Sequence, residues 1–341
     1  MNNPADDRFD AAYRSFEAAQ ANAGRSDRFY RIGSFTVRLS FAGPSLIPLL
    51  TPALAHLAAE PPAAADLTIC AWEGTASPGA DTLRALTTDD SIGRTMRCHG
   101  AGDVCVLRGP GRDGASLLHA RRNIGMYWVP SADAILPDVT AAPFLDIFHW
   151  WMRAHGAQVV HAAALGTAAG GVLLIGKGGA GKSTTALACA DAEVRHAADD
   201  YCLIRMGQPL TVWSLYSSAK IEREQLERFP DWRQHADRFA DDKAILMLHP
   251  RAAYMLSSGF SLRAILVVRV SGRAETILRD TTASVVLQTL APSTLLQLKG
   301  ADQRDLSAMA ELAQRVPGYL LEAGTDFSRL NSAITALLSG D

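Results

Sequence analysis

The spacing of hydrophobic residues changes along the first part of the chain and predicts a helix followed by several strands. Phe9, Tyr13, Phe16 and Ala19 recur at helical spacing, which indicates an amphipathic helix near the N-terminus. Between Phe35 and Phe41 apolar and polar residues alternate instead, which is typical of a half-buried strand. Further short apolar runs lie at Leu67–Trp72, Val104–Leu107, Ser116–Arg121 and Gly125–Val129. Residues 1–140 are therefore expected to form a small α+β domain built around an antiparallel sheet.

From Gln158 onward the pattern predicts strands alternating with helices, as in a layered α/β domain. Val159–Leu165 and Gly171–Ile175 are apolar enough to be buried strands, and the alanine-rich Lys182–Asp191 is predicted to be a helix. Later elements are a strand at Ala264–Val270, helices at Thr282–Leu290 and Leu306–Arg315, a strand at Gly318–Glu322 and a helix at Phe327–Leu338. Ser131–Thr140 is interpreted as a connector, and the aromatic helix Phe144–His155 follows it, so we place the second domain at residues 141–341.

Length and charge limit the classes of protein that the chain can represent. Its 341 residues are enough for two domains, and 48% hydrophobic with 20% charged residues is ordinary for a soluble globular protein. A formal net charge of −2 gives no basic field, so neither nucleic acid nor a membrane is an expected partner. The N-terminus lacks the basic start of a signal peptide, and glycines and His161 interrupt the most apolar stretch, Val159–Ile175. We therefore expect a cytoplasmic protein.

The cysteines predict neither a disulfide framework nor a zinc site. They are five in number and none has C-x-x-C spacing: Cys70, Cys98, Cys105, Cys189 and Cys202. Buried or idle thiols in a reducing compartment are the expected state.

One segment matches the phosphate-loop pattern G-x-x-x-x-G-K-[ST] at every position. It consists of Gly176, Lys177, Gly178, Gly179, Ala180, Gly181, Lys182 and Ser183, and Thr184 follows as a further phosphate contact. In such a loop backbone N–H groups cradle phosphate oxygens, and the following helix points its positive end at them. Lys182 is expected to reach the β- and γ-phosphates, and the Ser183 hydroxyl to bind Mg²⁺. The sequence therefore predicts a site for ATP and Mg²⁺.

Two further features are candidates for the chemistry at this loop. Asp199 and Asp200 follow the loop and precede an apolar run, and paired carboxylates near a nucleotide can divide metal binding from proton transfer. His161 lies on the strand that precedes the loop strand, so the two strands are expected to lie side by side. A lone histidine on an apolar strand can equally be a core residue.

With these pieces in place, the segment from His161 to Ile204 resembles the HPr kinase/phosphorylase family. The resemblance implies a kinase fold related to phosphoenolpyruvate carboxykinase, but it does not extend to residues 1–150. It implies that Lys182 stabilises the transferred phosphoryl group, that Asp200 is the general base on a serine hydroxyl, and that Ser183 and Asp199 serve the metal. His161 is implied to support the active site. The alanines after His161 and the form of the loop look more like a divergent branch that resembles lasso-peptide precursor kinases.

The sequence also departs from that family and leaves the acceptor open. The glycine-arginine-asparagine signature of the phosphorolysis activity is absent, and Glu222 and Glu224 are unsupported candidates for a downstream metal ligand. Cations that could face the phosphates, each more simply interpreted as a surface residue, are Lys220, Lys243, Arg251 and Arg263. The expected partner is a protein or peptide phosphoacceptor, either a precursor peptide or an HPr-like protein, which the first domain could recognise. A homo-oligomer stays open, as do a nucleotide-sensing ATPase without acceptor and a kinase for a small metabolite.

Overall fold

The computed structural model describes residues 4–74, 97–99, 104–108, 114–236 and 238–339. The chain divides into two compact units, Met1–Ala154 and His155–Asp341. The sequence pattern predicts the division after residue 140. The structure places it after Ala154 because the helix Leu145–Ala154 packs against a strand of the first unit.

The first unit contains a seven-stranded sheet in the order β1-β2-β3-β7-β6-β5-β4. Its strands are β1 (Arg25–Ile32), β2 (Phe35–Ala42), β3 (Leu67–Glu73), β4 (Arg97–His99), β5 (Val104–Arg108), β6 (Ala115–His119) and β7 (Ile124–Val129). The expectation of an antiparallel sheet is wrong, because β3 runs parallel to both β2 and β7. The connection from β2 to β3 is long enough for a crossover, and parallel neighbours require one.

Helix α1 of the first unit confirms the helical spacing at the N-terminus. In the part of this unit that the structure describes, the α-helices are α1 (Pro4–Ala23), α2 (Ile47–Leu50), α3 (Pro137–Ala141) and α4 (Leu145–Ala154). Phe9 and Phe16 on α1 are buried in one core cluster with Trp72 of β3 and Met126 of β7. The rings of Phe16 and Trp72 meet edge to face with centroids 5.5 Å apart. The apolar face of α1 therefore covers one face of the sheet.

One cysteine departs from the expectation of idle thiols. Cys105 on β5 is disulfide-bonded, and the strand register places Cys98 opposite it. Cys70, Cys189 and Cys202 are free and buried, as expected. Neighbouring antiparallel strands can bring two cysteines together without any local sequence motif, so the spacing rule could not anticipate this bond.

The second unit is built on a nine-stranded sheet that the long strand β17 (Gly259–Val270) holds together. Residues 259–261 of β17 pair antiparallel with β13 (Thr211–Ser214), residues 262–267 pair parallel with β10 (Gly170–Ile175), and residues 265–270 pair parallel with β19 (Gly318–Ala323). The order along the main path is β11-β9-β10-β17-β13-β12-β8, and β18 joins through β19. A separate three-stranded sheet has the order β14-β16-β15.

Further strands and helices complete the second unit. The strands are β8 (Ala157–His161), β9 (Ala163–Thr167), β10 (Gly170–Ile175), β11 (Arg195–Ala198), β12 (Tyr201–Arg205), β13 (Thr211–Ser214), β14 (Ser218–Glu222), β15 (Arg238–Ala240), β16 (Lys243–Met247), β18 (Ile277–Thr281) and β19 (Gly318–Ala323). The helices are α5 (Lys182–Cys189), α6 (Arg223–Leu226), α7 (Pro230–Arg233), α8 (Ala283–Gln297), α9 (Gln303–Arg315) and α10 (Phe327–Ser339).

Helices cover both faces of the large sheet. Alternate residues of β10 enter different cores: Leu173 lies in one cluster with residues of α8 and α9, whereas Leu174 lies in another with residues of α5 and α10. Every residue of β10 is buried, as expected for a strand covered on both faces. The unit is a mixed α/β structure, as the alternating pattern predicts. In the described part of the chain, no helix has the length and apolar character needed to cross a bilayer.

A buried histidine in this fold should make stability depend on pH. His196 on β11 is fully buried, and its two ring nitrogens have no hydrogen-bond partner among the described residues. Burial lowers the pKa of His196 from 6.5 to about 4. Between those pH values the unfolded chain therefore binds more protons than the folded chain. As the pH falls from 6.5 towards 4, this difference lowers the free energy of unfolding by about 3 kcal/mol.

The measurement is urea unfolding at several pH values for the wild type and for His196→Leu. We expect the difference in unfolding free energy between the two proteins to shift in favour of the variant as the pH falls below 6.5. Parallel pH profiles would show that His196 is not buried in its neutral form.

Candidate functional site

The segment Gly176–Ser183, the glycine loop, lies between the buried strand β10 and the first turn of helix α5. Gly181 is the N-cap residue of the helix, with a φ of 93°, and as a glycine it makes no side-chain cap bond to the first-turn N–H groups. A Cβ placed on Gly178 or Gly179 would meet nothing within 4 Å. The loop therefore presents open space in front of uncapped N–H groups at the positive end of a helix, where an anion can bind.

Lys182 is held under this loop. It is 7% exposed, and its Nζ donates to the carbonyls of Gly176 at 2.8 Å and Lys177 at 3.4 Å. Burial lowers the pKa of Lys182, although the nearby charges of Asp200 and Asp199 oppose that shift. A poorly solvated ammonium beside the loop is well placed to gain from an added anion.

Asp199 lies at the turn between β11 and β12 and is 2% exposed. Its Oδ2 accepts from the backbone N–H of Lys220 at 2.8 Å, whereas its Oδ1 has no hydrogen-bond partner among the described residues. Burial and the charge of Asp200 raise the pKa of Asp199, and the bonds from Lys220 and Ser183 partly offset that rise. A buried carboxylate with an unsatisfied oxygen, in contact with the Ser183 hydroxyl, fits a divalent cation.

Asp200 has the opposite electrostatic environment. Its Oδ1 lies 3.6 Å from Nε2 of His161, and its Oδ2 lies 3.2 Å from Nζ of Lys220. Burial raises the pKa of Asp200, but the contact with His161 and the charge of Lys220 outweigh burial and hold that pKa below its usual range. Its side chain keeps 25% of its surface exposed. Asp200 is therefore an ionised and accessible carboxylate, and the two members of the acid pair Asp199–Asp200 differ in role.

His161 reaches this site by a different route from the one that the sequence suggested. The predicted strand Val159–Leu165 is two strands, β8 and β9, which separate at Ala162. β9 pairs with β10, whereas β8 pairs with β12, which places His161 opposite Tyr201. The prediction that the strand of His161 lies beside the loop strand is therefore wrong. The imidazole meets Asp200 because β12 starts directly after the acid pair.

Of the four candidate cations, Lys220 contacts the acid pair. Its interpretation as a surface residue is wrong, because its side chain is 16% exposed and its Nζ pairs with Asp200. Lys243 pairs with Glu222 at 3.4 Å, and Arg251 and Arg263 are exposed. One sequence signal could have located β14. Charged Lys220 and Glu222 alternate with apolar Ala219 and Ile221, which is typical of a strand with one buried face.

The ligands for a metal ion are few. In the described part of the chain, no group of three or more His, Cys, Asp or Glu side chains could hold a metal. Glu222 is paired with Lys243 and Glu224 is exposed, so the downstream ligand suggested by the resemblance has no counterpart at either residue. Mg²⁺ in phosphoryl-transfer sites commonly uses one or two protein oxygens together with substrate phosphates and water. Ser183 and Asp199 match that donor set.

The loop conformation gives a testable difference between two adjacent glycines. Gly179 has a φ of 75°, a region that L residues avoid, whereas Gly178 does not have a positive φ. Gly179→Ala should therefore lower the free energy of unfolding by about 1 kcal/mol. Gly178→Ala is the matched control and should leave it unchanged or slightly higher, because its Cβ also meets open space. Equal losses in urea unfolding of both variants would contradict this loop conformation.

The comparisons with known proteins give limited information about this chain. No protein-family model matches it, and no curated protein matches it. Among solved structures, it is similar to the HPr(Ser) kinase/phosphatase from Coxiella burnetii, with a TM-score of 0.32 and 14% sequence identity over 54% of this chain and 89% of that chain. Similarity at this level assigns neither a fold family nor a reaction.

Proposed function

We propose that the chain is an ATP- and Mg²⁺-dependent kinase that transfers the γ-phosphate to a serine hydroxyl of a protein or peptide. The observation that carries the proposal is the position of the acid pair beside the glycine loop. Asp199 contacts Ser183, and the charges of both acids act on Lys182. A phosphate-binding loop and an ionised carboxylate then share one site, as phosphoryl transfer to a hydroxyl requires.

The two acids are suited to different tasks. Asp200 is ionised and a quarter exposed, so it can orient an attacking hydroxyl by accepting its hydrogen bond. Because its lowered pKa makes it a weak base, the proton moves to Asp200 only as the hydroxyl oxygen bonds to phosphorus and becomes acidic. Asp199 is buried, and its unsatisfied oxygen together with the Ser183 hydroxyl would hold Mg²⁺. When bound, Mg²⁺ neutralises charge on the β- and γ-phosphate oxygens.

The transfer has a simple balance of bonds and protons. The hydroxyl O–H bond breaks and its proton goes to Asp200, while the hydroxyl oxygen forms a bond to the γ-phosphorus. The bond between that phosphorus and the leaving oxygen of ADP breaks, and the leaving oxygen keeps its electron pair. Lys182, already poorly solvated beside the loop, would stabilise the charge on the transferred group.

The choice of a serine in a protein or peptide rests on the sequence resemblance between His161 and Ile204. An HPr-like protein and a precursor peptide with a C-terminal serine are the two acceptors that it suggests. The nucleotide site itself does not depend on that choice, because the glycine loop and the acid pair are local features.

The test is incubation of the purified protein with γ-labelled ATP and Mg²⁺ against HPr, a precursor peptide with a C-terminal serine, and water alone. We expect label on a serine of one acceptor. Release of phosphate at the same rate in every sample, with all acceptors unlabelled, would instead identify an ATPase or nucleotide sensor. Label on a small hydroxylated metabolite added in parallel would replace the proposed acceptor class.

A further inference from the structure

Lys220 is the residue that joins both members of the acid pair. Its backbone N–H donates to Oδ2 of Asp199 at 2.8 Å, and its Nζ lies 3.2 Å from Oδ2 of Asp200. A single residue therefore restrains the two carboxylates through two different groups. We propose that Lys220 is a positioning residue that fixes the orientation of Asp200 for proton transfer, an inference that rests on the proposed function.

The fold gives Lys220 a rigid support. Lys220 lies in the middle of β14, which pairs with β16 along its whole length. The residues on either side of it, Ala219 and Ile221, are 1% exposed and belong to a core cluster. Helix α5, which begins in the glycine loop, contacts the same strand. The ammonium is therefore presented from a packed sheet and not from a mobile loop.

The direction of the Lys220 backbone explains how this sheet is attached to the site. Lys220 stands opposite Ile245 of β16 in the register, yet its N–H bonds to Asp199 and not across the strand pair. In an antiparallel pair, alternate residues direct their N–H groups away from the partner strand. The N–H group of Lys220 points away from β16 in this way and meets the buried carboxylate of Asp199. The position of β14 and the geometry of the acid pair are thus coupled.

The charges show what the side chain contributes. Asp200 has two partners, His161 on Oδ1 and Lys220 on Oδ2, so each oxygen has a fixed direction. Because the Lys220 side chain is only 16% exposed, water screens its charge poorly, which strengthens its hold on the carboxylate. Without the ammonium, Asp200 keeps the contact with His161, but Oδ2 loses the partner that sets its direction.

The test compares Lys220→Met, Lys220→Arg and Lys243→Met with the wild type. Lys243 is the matched control because it lies on the same small sheet but pairs with Glu222 and not with the acid pair, and its charge acts on Lys182 less than either acid does. Turnover is measured as labelled acceptor or as released phosphate. The test of Lys220 therefore does not require that the acceptor be identified first. The dissociation constant for ATP is measured by calorimetry, and folding is checked by thermal unfolding.

We expect Lys220→Met to lower kcat by about 100-fold with less than about a threefold change in the dissociation constant for ATP. Lys220→Arg keeps the backbone bond and the charge and should recover part of that loss, and Lys243→Met should stay within about twofold of the wild type. Wild-type turnover in a folded Lys220→Met protein would overturn the inference while leaving the proposed kinase intact. Equal losses in Lys220→Met and Lys220→Arg, with a lower unfolding temperature in both, would show a structural role only. A wild type that labels no acceptor would instead count against the proposed function.

Discussion

Asp200→Asn is expected to lower phosphoryl transfer by about 10³-fold while the dissociation constant for ATP stays within about twofold of the wild type. The amide keeps the size of the side chain but cannot accept the hydroxyl proton. It can still contact Lys220 and His161, which lie 3.2 Å and 3.6 Å from the carboxylate oxygens. Steady-state kinetics with labelled ATP and calorimetry with ATP separate the two effects.

Asp242→Asn is the control for this substitution, since Asp242 is an exposed aspartate in a second Asp-Asp pair. Its transfer rate should equal that of the wild type. An Asp200→Asn protein that transfers phosphate at more than a tenth of the wild-type rate would remove Asp200 from the role of base. Loss of ATP binding together with transfer would show that Asp200 acts on the nucleotide and not on the acceptor.

Lys182→Met is expected to lower kcat/KM by about 10²- to 10³-fold and to leave the folded protein at least as stable as the wild type. The loss of activity follows because Lys182 is the buried cation of the glycine loop. The effect on stability has the opposite sign because burial lowers the pKa of Lys182, so folding places its charge in a less favourable environment than water. A methionine of similar length removes that cost.

Urea unfolding and steady-state kinetics of Lys182→Met, compared with Lys177→Met, check this prediction. Lys177 is exposed in the same loop, so its substitution should change the free energy of unfolding by less than about 0.5 kcal/mol. A loss of stability above about 1 kcal/mol in Lys182→Met would mean that the bonds from Nζ to the Gly176 and Lys177 carbonyls hold the loop together.

The sequence located the elements whose signals lie in consecutive residues. The strand before the glycine loop and the helix that starts at Lys182 follow from an apolar run, a set of glycines and an alanine-rich stretch. Helix α1 follows from apolar residues at helical spacing. The spacing of apolar residues was sufficient in these cases because each element forms within one short, continuous segment of the chain.

Features that depend on long-range pairing were not accessible in the same way. The break between β8 and β9 at Ala162 leaves the apolar run intact, because both strands are buried, so hydrophobicity gives no sign that they join different partners. Helix α8 continues past Pro292 to Gln297, although a proline usually ends a helix. Leu290, Ala291 and Thr294, on both sides of the proline, are buried. Their tertiary packing stabilises the helix across Pro292, and a rule based on the local sequence does not include such packing.

Lys220 shows the same limitation within the site. A lysine between Ala219 and Ile221 is ordinary in an exposed strand, and nothing in the neighbouring residues points to the acid pair. Its role depends on the docking of the three-stranded sheet, which the sequence pattern did not reveal. The acid pair was recognisable because both aspartates precede an apolar strand, whereas their partners come from β8 and β14.

The proposed kinase requires that the glycine loop and the acid pair form one phosphoryl-transfer site. A crystal structure of the protein with a non-hydrolysable ATP analogue and Mn²⁺ would decide this, because the anomalous signal of Mn²⁺ locates the metal. We expect the phosphates along Gly176–Ser183, the metal between Ser183 and Asp199, and an Asp200 carboxylate that faces the γ-phosphate. Phosphates bound elsewhere, or a γ-phosphate beyond the reach of a hydroxyl held by Asp200, would contradict a shared site.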